Sequence, residues 1–152
     1  MATLTPKLTP TQVAQRCAGI LWPEDNASIG MGMELVEVGP GTATLRMAVR
    51  TDMTNCHGTC HGAYIFAVAD TAFAYACNSL NHRAVAAGAD IDYLAPVLAG
   101  DTLTARGRAV QQGDRRGIYD IEVTNQHGDV IAVFRGRSAR IKGQLFDTGE
   151  AS

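Results

Sequence analysis

The sequence predicts an α+β fold in which one long antiparallel β-sheet wraps a single central α-helix. Three observations carry this. From residue 61 to about residue 80, the apolar side chains Ile65, Phe66, Ala69, Phe73, Ala76 and Leu80 recur three or four apart and cover most of the helical circumference, so this helix belongs inside. Six other segments alternate apolar and polar residues between turns rich in Gly, Pro and Asp, the pattern of strands with one buried face. The 152 residues show no internal repeat, low-complexity tract or linker composition, so helix and sheet share one core. A sheet around a helix that is apolar on nearly every side buries both in one pair of layers.

Taken in order, residues 1–8 read as a loose arm, and Thr9 or Thr11 can cap a short peripheral helix that runs to about residue 21 and is closed by Trp22 and Pro23. Between residues 31 and 50, MGMELVEVGPGTATLRMAVR gives two alternating segments around Gly39, Pro40 and Gly41, a hairpin. After the central helix come strand-like runs over 84–94, 101–110, 117–125 and 130–141, split by PVLAGD, QQGDRR and QHGD turns. The expected organisation is an arm and short helix over 1–29, one domain over 30–142 and a tail over 143–152.

A formal net charge of −2, with 18% charged and 46% hydrophobic residues, offers no basic face to nucleic acid. No stretch approaches about 18 consecutive apolar residues, and MATLTPKLTPTQ lacks the basic-then-apolar layout of a signal peptide. The expectation is a cytoplasmic protein with no membrane partner, whose four cysteines, Cys17, Cys56, Cys60 and Cys77, are thiols.

The chemistry concentrates in TNCHGTCHGAYIFAVADTAFAYACNS, residues 54–79. Cys56 with Cys60 and His57 with His61 stand four apart, and thiolate plus imidazole suits zinc. Structural zinc sites pair two such knuckles, however, whereas the other cysteines fall in helices and His82 and His127 stand alone, so no metal is expected. Cys56 and Cys60 then read as small hydrophobes near the helix start, and the histidines as hydrogen-bonding turn residues. His61 and Gly62 fall where the chain enters the helix, whose unpaired N–H groups and partial positive charge can hold an oxyanion.

Asp70 is the anomaly. An unpaired carboxylate in an apolar helix costs several kcal/mol or has its pKa driven up, so it is either a structural acid bonded to a strand or to Thr71, or a functional one. Gly62 and Asp70 are eight residues apart on one helix, about 12 Å along its axis at 1.5 Å per residue. They cannot serve the same substrate atom from one subunit. If both act, they come from different subunits, with helices antiparallel across a two-fold axis and two composite sites in an obligate dimer.

The run NCHGTCHGAYIFAVADTAFAYACNS, followed by DIDYLAPVLAGDTLTARG, GIYDIEVTNQ and AVFRGRSARI, closely resembles the PaaI-type hotdog thioesterases of aerobic phenylacetate degradation over about residues 30–142. The resemblance implies the hotdog fold and hydrolysis of acyl-CoA thioesters, particularly phenylacetyl-CoA and hydroxyphenylacetyl-CoA, by a homotetramer built as a dimer of dimers. The CoA ester is the substrate and no cofactor is implied. Asp70 matches the catalytic carboxylate, Gly62 the backbone oxyanion donor, His61 the histidine beside it and Asn55 the amide that helps hold thioester or water; Thr71 follows the carboxylate and can orient water. Two positions depart from the family pattern: Ala63 replaces the second glycine of H-G-G, and Ala95 replaces an arginine before Pro96.

In this reading Asp70 is general base or nucleophile. The CoA phosphates need cationic or N–H partners, for which the QQGDRR turn offers Gln112, Gly113, Arg115 and Arg116 and the last strand Arg135 and Arg137, while Tyr93 can pack on the pantetheine arm. Two rivals remain: a hotdog enoyl-CoA hydratase using Asp52, Asn55 and His57, and a non-catalytic acyl-CoA binding protein.

Overall fold

The computed structural model describes residues 6–149; residues 1–5 of the expected arm and 150–152 of the expected tail lie outside it. The α+β expectation holds. Helices α1 (Pro10–Leu21) and α2 (Asn26–Gly30) precede strands β1 (Met33–Gly39) and β2 (Thr42–Ala48); helix α3 (Gly62–Cys77) is followed by β3 (Ala84–Tyr93), β4 (Thr102–Gln112), β5 (Arg116–Thr124) and β6 (Val130–Arg140). All neighbouring strands are antiparallel in the order β1-β2-β4-β5-β6-β3, so β1 and β3 are the edges.

The period-two pattern becomes a curved inner face. Leu45 and Met47, Leu103 and Ala105, Ile121 and Val123, and Ala132 and Phe134 are buried against α3, while Arg46, Arg106, Arg108 and Arg135, at alternate positions of the same strands, face outward. Helix α3 is enclosed as its composition requires: Val68, Ala69, Ala72, Phe73 and Ala76 are all at 0% exposure. The Phe73 ring lies between Tyr119 and Phe134, with centroids at 5.6 and 6.0 Å. Its fit depends on Gly136, where a Cβ would stand 2.6 Å from the ring. Gly107 plays a similar part, since a Cβ there would meet Ile121 at 3.2 Å and the Ala72 carbonyl at 3.4 Å.

Thr9, not Thr11, caps α1. The Gln12 N–H donates to Thr9 Oγ1 (3.2 Å) while the Thr9 N–H donates to Gln12 Oε1 (2.9 Å), a reciprocal capping box. Buried Ala14, Cys17 and Ala18 seat the helix beside β1. Four features differ from the expected outline. Helix α2 was not foreseen; Asp25 caps it by accepting from the Ser28 N–H (3.1 Å). It also spans the expected boundary at residue 29, and Asp25 accepts from the Tyr75 hydroxyl (3.0 Å), which ties this segment to α3. Helix α3 stops at Cys77 rather than near 80, because the Asn78 side chain donates to the Ala74 and Ala84 carbonyls (2.9 and 3.0 Å) and turns the chain toward β3. The turn after β4 shrinks to residues 113–115.

The tail is docked over its described part. Asn81, buried and at φ +60, accepts from the Leu145 and Phe146 N–H groups and donates to the Phe146 carbonyl (3.0, 3.1 and 2.8 Å), and the Arg16 guanidinium lies 4.3 Å from the centre of the Phe146 ring. Among the described residues no helix is long and apolar enough to cross a membrane.

Candidate active site

The start of α3 is built from a tight loop. The Cys60 N–H donates to the Val97 carbonyl (2.7 Å) and the His61 N–H to that of Met53 (2.8 Å). His61 is the N-cap, in extended backbone (φ −62, ψ 133), and its Nδ1 accepts from the Ala63 N–H (3.0 Å), which leaves a proton on Nε2. The Tyr64 N–H is taken by the His61 carbonyl (3.0 Å). Of these first N–H groups, only that of Gly62 has no acceptor among the described residues. This narrows the expectation for His61, whose own N–H is already used and whose ring serves as the cap.

Beside Gly62 lies Tyr93, the last residue of β3. Its hydroxyl donates to the Gly62 carbonyl (3.0 Å), and a Cβ at position 62 would be 3.1 Å from both Cζ and the hydroxyl oxygen. Position 62 has no positive φ; it is glycine because a tyrosine ring rests on it. A cleft of about 430 Å³ opens here, with Thr59, Cys60, Gly62 and Ile65 on one wall and residues 93–97 on the other. Tyr93, expected to meet the pantetheine arm, stands at the helix start and lines this cleft.

Asp70 is partly buried in the middle of α3, and burial alone drives its pKa above the ordinary 3.8. No hydrogen bond or ion pair reaches its carboxylate among the described residues, so neither a strand nor Thr71 makes it a structural acid. The Thr71 hydroxyl donates to the Ala67 carbonyl (2.8 Å) and meets Ser28 Oγ (3.2 Å), which ties α3 to α2. Asp70 shares a stripe with Ala63, Ala67 and Ala74, four positions none of which is fully buried and three of which carry a methyl only.

Asn55 organises the loop ahead of the helix. Its Oδ1 accepts from the His57 and Thr59 N–H groups (2.9 and 3.2 Å), and Nδ2 donates to Thr59 Oγ1 (3.1 Å), leaving one amide hydrogen. Cys60 is buried, but Cys56 is exposed and is no part of the core. Among the described residues no three His, Cys, Asp or Glu side chains gather in a way that could hold a metal ion. Burial raises the pKa of Cys17 and Cys60 and takes that of Cys77 to about 12, so these three stay thiols.

The residues expected at the CoA end divide into two groups. Gln112, Gly113, Arg115 and Arg116 surround a small cavity of about 30 Å³ beyond the C-terminal end of α3, joined there by His82 and Arg140. Arg115, Arg116 and Arg140 have no acidic partner among the described residues. Burial and the Arg140 charge push the His82 pKa below the ordinary 6.5, which favours the neutral ring. Arg137 and Arg135 lie apart on the outer face of the sheet, where Arg137 donates to Asp90 (2.8 Å) and Arg135 makes two bonds to Asp120 (2.7 and 2.9 Å). Arg140 and His82 were not anticipated beside this cavity; the strand register brings Arg140 there by setting its N–H on the Arg115 carbonyl (2.8 Å).

Comparison with known proteins places this geometry. Residues 57–132 match the model of the thioesterase superfamily. The acyl-coenzyme A thioesterase PaaI of Escherichia coli is 45% identical over 134 residues, 88% of this chain and 94% of that one. The structure of the E. coli PaaI protein, from the phenylacetic acid degradation operon, superposes with a TM-score of 0.88 at 42% identity, over 90% of this chain and 99% of the other. A variant of the phenylacetic acid degradation protein PaaI from Thermus thermophilus gives 0.74 at 35% identity, over 77% and 100%.

Proposed function

The chain belongs to the thioesterase superfamily and is a thioester hydrolase of the PaaI type with the hotdog fold, and from that premise we propose that it hydrolyses phenylacetyl-CoA and its ring-hydroxylated relatives to the free acid and CoA, in the cytoplasm. The observation that carries the catalytic part is Asp70: a partly buried carboxylate that meets no hydrogen-bond or ion-pair partner among the described residues. A raised pKa makes it a better proton acceptor than an ordinary aspartate.

The site is completed by a second copy. β3 is an edge strand whose outer backbone groups have no strand beside them, and two such edges can pair about a two-fold axis. The stripe of Ala63, Ala67, Asp70 and Ala74 lets two α3 helices approach closely and antiparallel, which carries Asp70 of one subunit toward the Gly62 N–H of the other across the 12 Å or so that separates them on one helix. Two such dimers associate as the tetramer that the PaaI-type resemblance implies.

Water then attacks the thioester carbon while Asp70 takes its proton. The developing oxyanion is held by the Gly62 N–H at the positive end of α3. On collapse the carbon–sulfur bond breaks, and the proton on Asp70 passes to the departing CoA sulfur. Asn55 and Thr71 act by placing the helix start and the helix, not by touching substrate. The phosphates of CoA bind at Arg115, Arg116 and Arg140 with Gln112 and Gly113. That cluster lies past Cys77, itself seven residues and about 10 Å along α3 from Asp70, within reach of an extended pantetheine arm. The hydratase alternative has no support, because Asp52 is exposed and ion-paired with Arg50 (3.0 Å).

The test follows free CoA with a thiol reagent, using phenylacetyl-CoA, hydroxyphenylacetyl-CoA, benzoyl-CoA and a short aliphatic CoA ester. Wild type should prefer the phenylacetyl esters, and Asp70→Asn should lose on the order of 100-fold or more in kcat, the loss of a general base or nucleophile. An Asp70→Asn variant as fast as wild type ends this assignment.

A further inference from the structure

We propose that Tyr93 is the positioning residue of the oxyanion donor: from the edge strand, its hydroxyl and ring fix the first turn of α3 and so aim the Gly62 N–H. This rests on the reading of Gly62 given above. Three observations support it. The hydroxyl donates to the Gly62 carbonyl at 3.0 Å, a link between residues 31 positions apart, so it is tertiary rather than local. The ring covers the Gly62 Cα so closely that no side chain fits there without a shift. Gly62 is also where N–H restraints are interrupted: Cys60 and His61 are held through their N–H groups and Ala63 by the His61 ring, but the Gly62 N–H must stay unbonded to be useful. A donor that cannot be fixed by its own hydrogen bond has to be aimed through its neighbours: the His61 carbonyl on the same peptide plane is held by the Tyr64 N–H (3.0 Å), and the Gly62 Cα and the next plane, whose carbonyl Tyr93 holds, are the other side of that hinge.

Plain sheet packing accounts poorly for Tyr93. It is 50% exposed, whereas Tyr119, the packing tyrosine of the inner face, is at 3%. Burial of the hydroxyl raises its pKa above the ordinary 10.0, which keeps it protonated and able to donate wherever the enzyme works. The arrangement also joins two requirements. β3 is the edge on which a second subunit docks in the proposed dimer, and Tyr93 ends that strand. Fixing β3 in the dimer therefore steadies the donor of the same subunit, while the partner supplies the carboxylate.

Tyr93→Phe removes the hydroxyl and keeps the ring. With phenylacetyl-CoA, kcat should fall about threefold to tenfold, the worth of one net hydrogen bond, with KM changed less than about twofold, since the loss falls on the transition state. A second readout separates aiming from general loosening. Affinity for a trifluoromethyl-ketone analogue of the CoA ester, whose hydrate carries the oxyanion, should fall by the same factor as kcat, while affinity for the thioether analogue, which has no carbonyl, should hold. This ratio is independent of how much of the variant is folded. An unchanged kcat, a raised KM at unchanged kcat, or equal losses for both analogues would each overturn the proposal. Asp70→Asn is measured alongside: if it keeps full activity, the assignment of the site has failed, and if only Tyr93→Phe behaves as wild type, this inference alone has failed.

Discussion

Gly136→Ala tests the packing that seats the central helix. The new methyl carbon would lie 2.6 Å from Cγ and Cδ2 of Phe73 and 2.8 Å from Cδ1, about 1 Å inside an ordinary carbon–carbon contact. Neither side can give easily. Phe73 is at 0% exposure between Tyr119 and Phe134, and Gly136 is paired on both flanks, with Tyr119 of β5 and Ala89 of β3. Overpacking of this kind costs about 3 kcal/mol, the upper end of its usual range, offset by about 0.7 kcal/mol for the freedom glycine loses on folding. The net of about 2 kcal/mol lowers Tm by roughly 4–8 °C in a chain of this size. The assay is urea and thermal unfolding at one fixed protomer concentration, because assembly would otherwise shift the midpoint. Phe73→Leu supplies the cycle: the double variant should be more stable than the sum of the two single losses predicts, since leucine vacates the space the methyl needs. A Gly136→Ala protein as stable as wild type, or single losses that simply add, would refute the reasoning.

Two further predictions concern charge and the loop. Because the folded Asp70 carboxyl has a pKa raised by burial, the stability it confers is full below its unfolded value and is lost as pH rises through the folded value; Asp70→Asn should therefore melt higher than wild type at pH 7, with the gap closing toward pH 4 in thermal scans. A wild type that is the more stable at pH 7 would mean the carboxylate has a cationic partner. Asn55→Ala removes the acceptor of two loop N–H groups and should cost about 1–2 kcal/mol along with activity, whereas Asn55→Asp, which keeps that acceptor, should retain both; an aspartate variant as impaired as alanine in CoA release would show that the amide hydrogen itself meets substrate.

Much of the fold was legible because it is written in local periods. The sixteen residues of α3 repeat at helical spacing and the strands alternate, so element order and the central helix follow from the sequence, as does the oddity of Asp70 within it. Gly62 could be placed because the helix start could be. What stayed hidden depends on contacts between distant residues. Helix α2 has five residues, too few for any period to register. The contact of Thr71 with Ser28 was hidden because the two lie 43 positions apart. Arg137 and Arg135 looked available to phosphate because their partners Asp90 and Asp120 are on other strands, and only the register brings them opposite or diagonal. Asn55 was the reverse case: its partners are two and four residues away, and an Asx-type turn was readable there.

The open edge of β3 has a consequence for the life of the chain before any substrate arrives. A newly made or highly diluted protomer presents a ten-residue strand, AVAAGADIDY, with a row of unsatisfied backbone groups and Val85 47% exposed, the kind of edge that recruits strands from whatever chain is nearby. Asp90 and Asp92 give that edge some protection by charge, and the bulge at Ala87 interrupts its run. Self-pairing removes the hazard altogether. In the proposed dimer, association is then a condition of staying in solution before it is a condition of turnover, and selection against aggregation would preserve such a pairing even in a descendant that had lost Asp70.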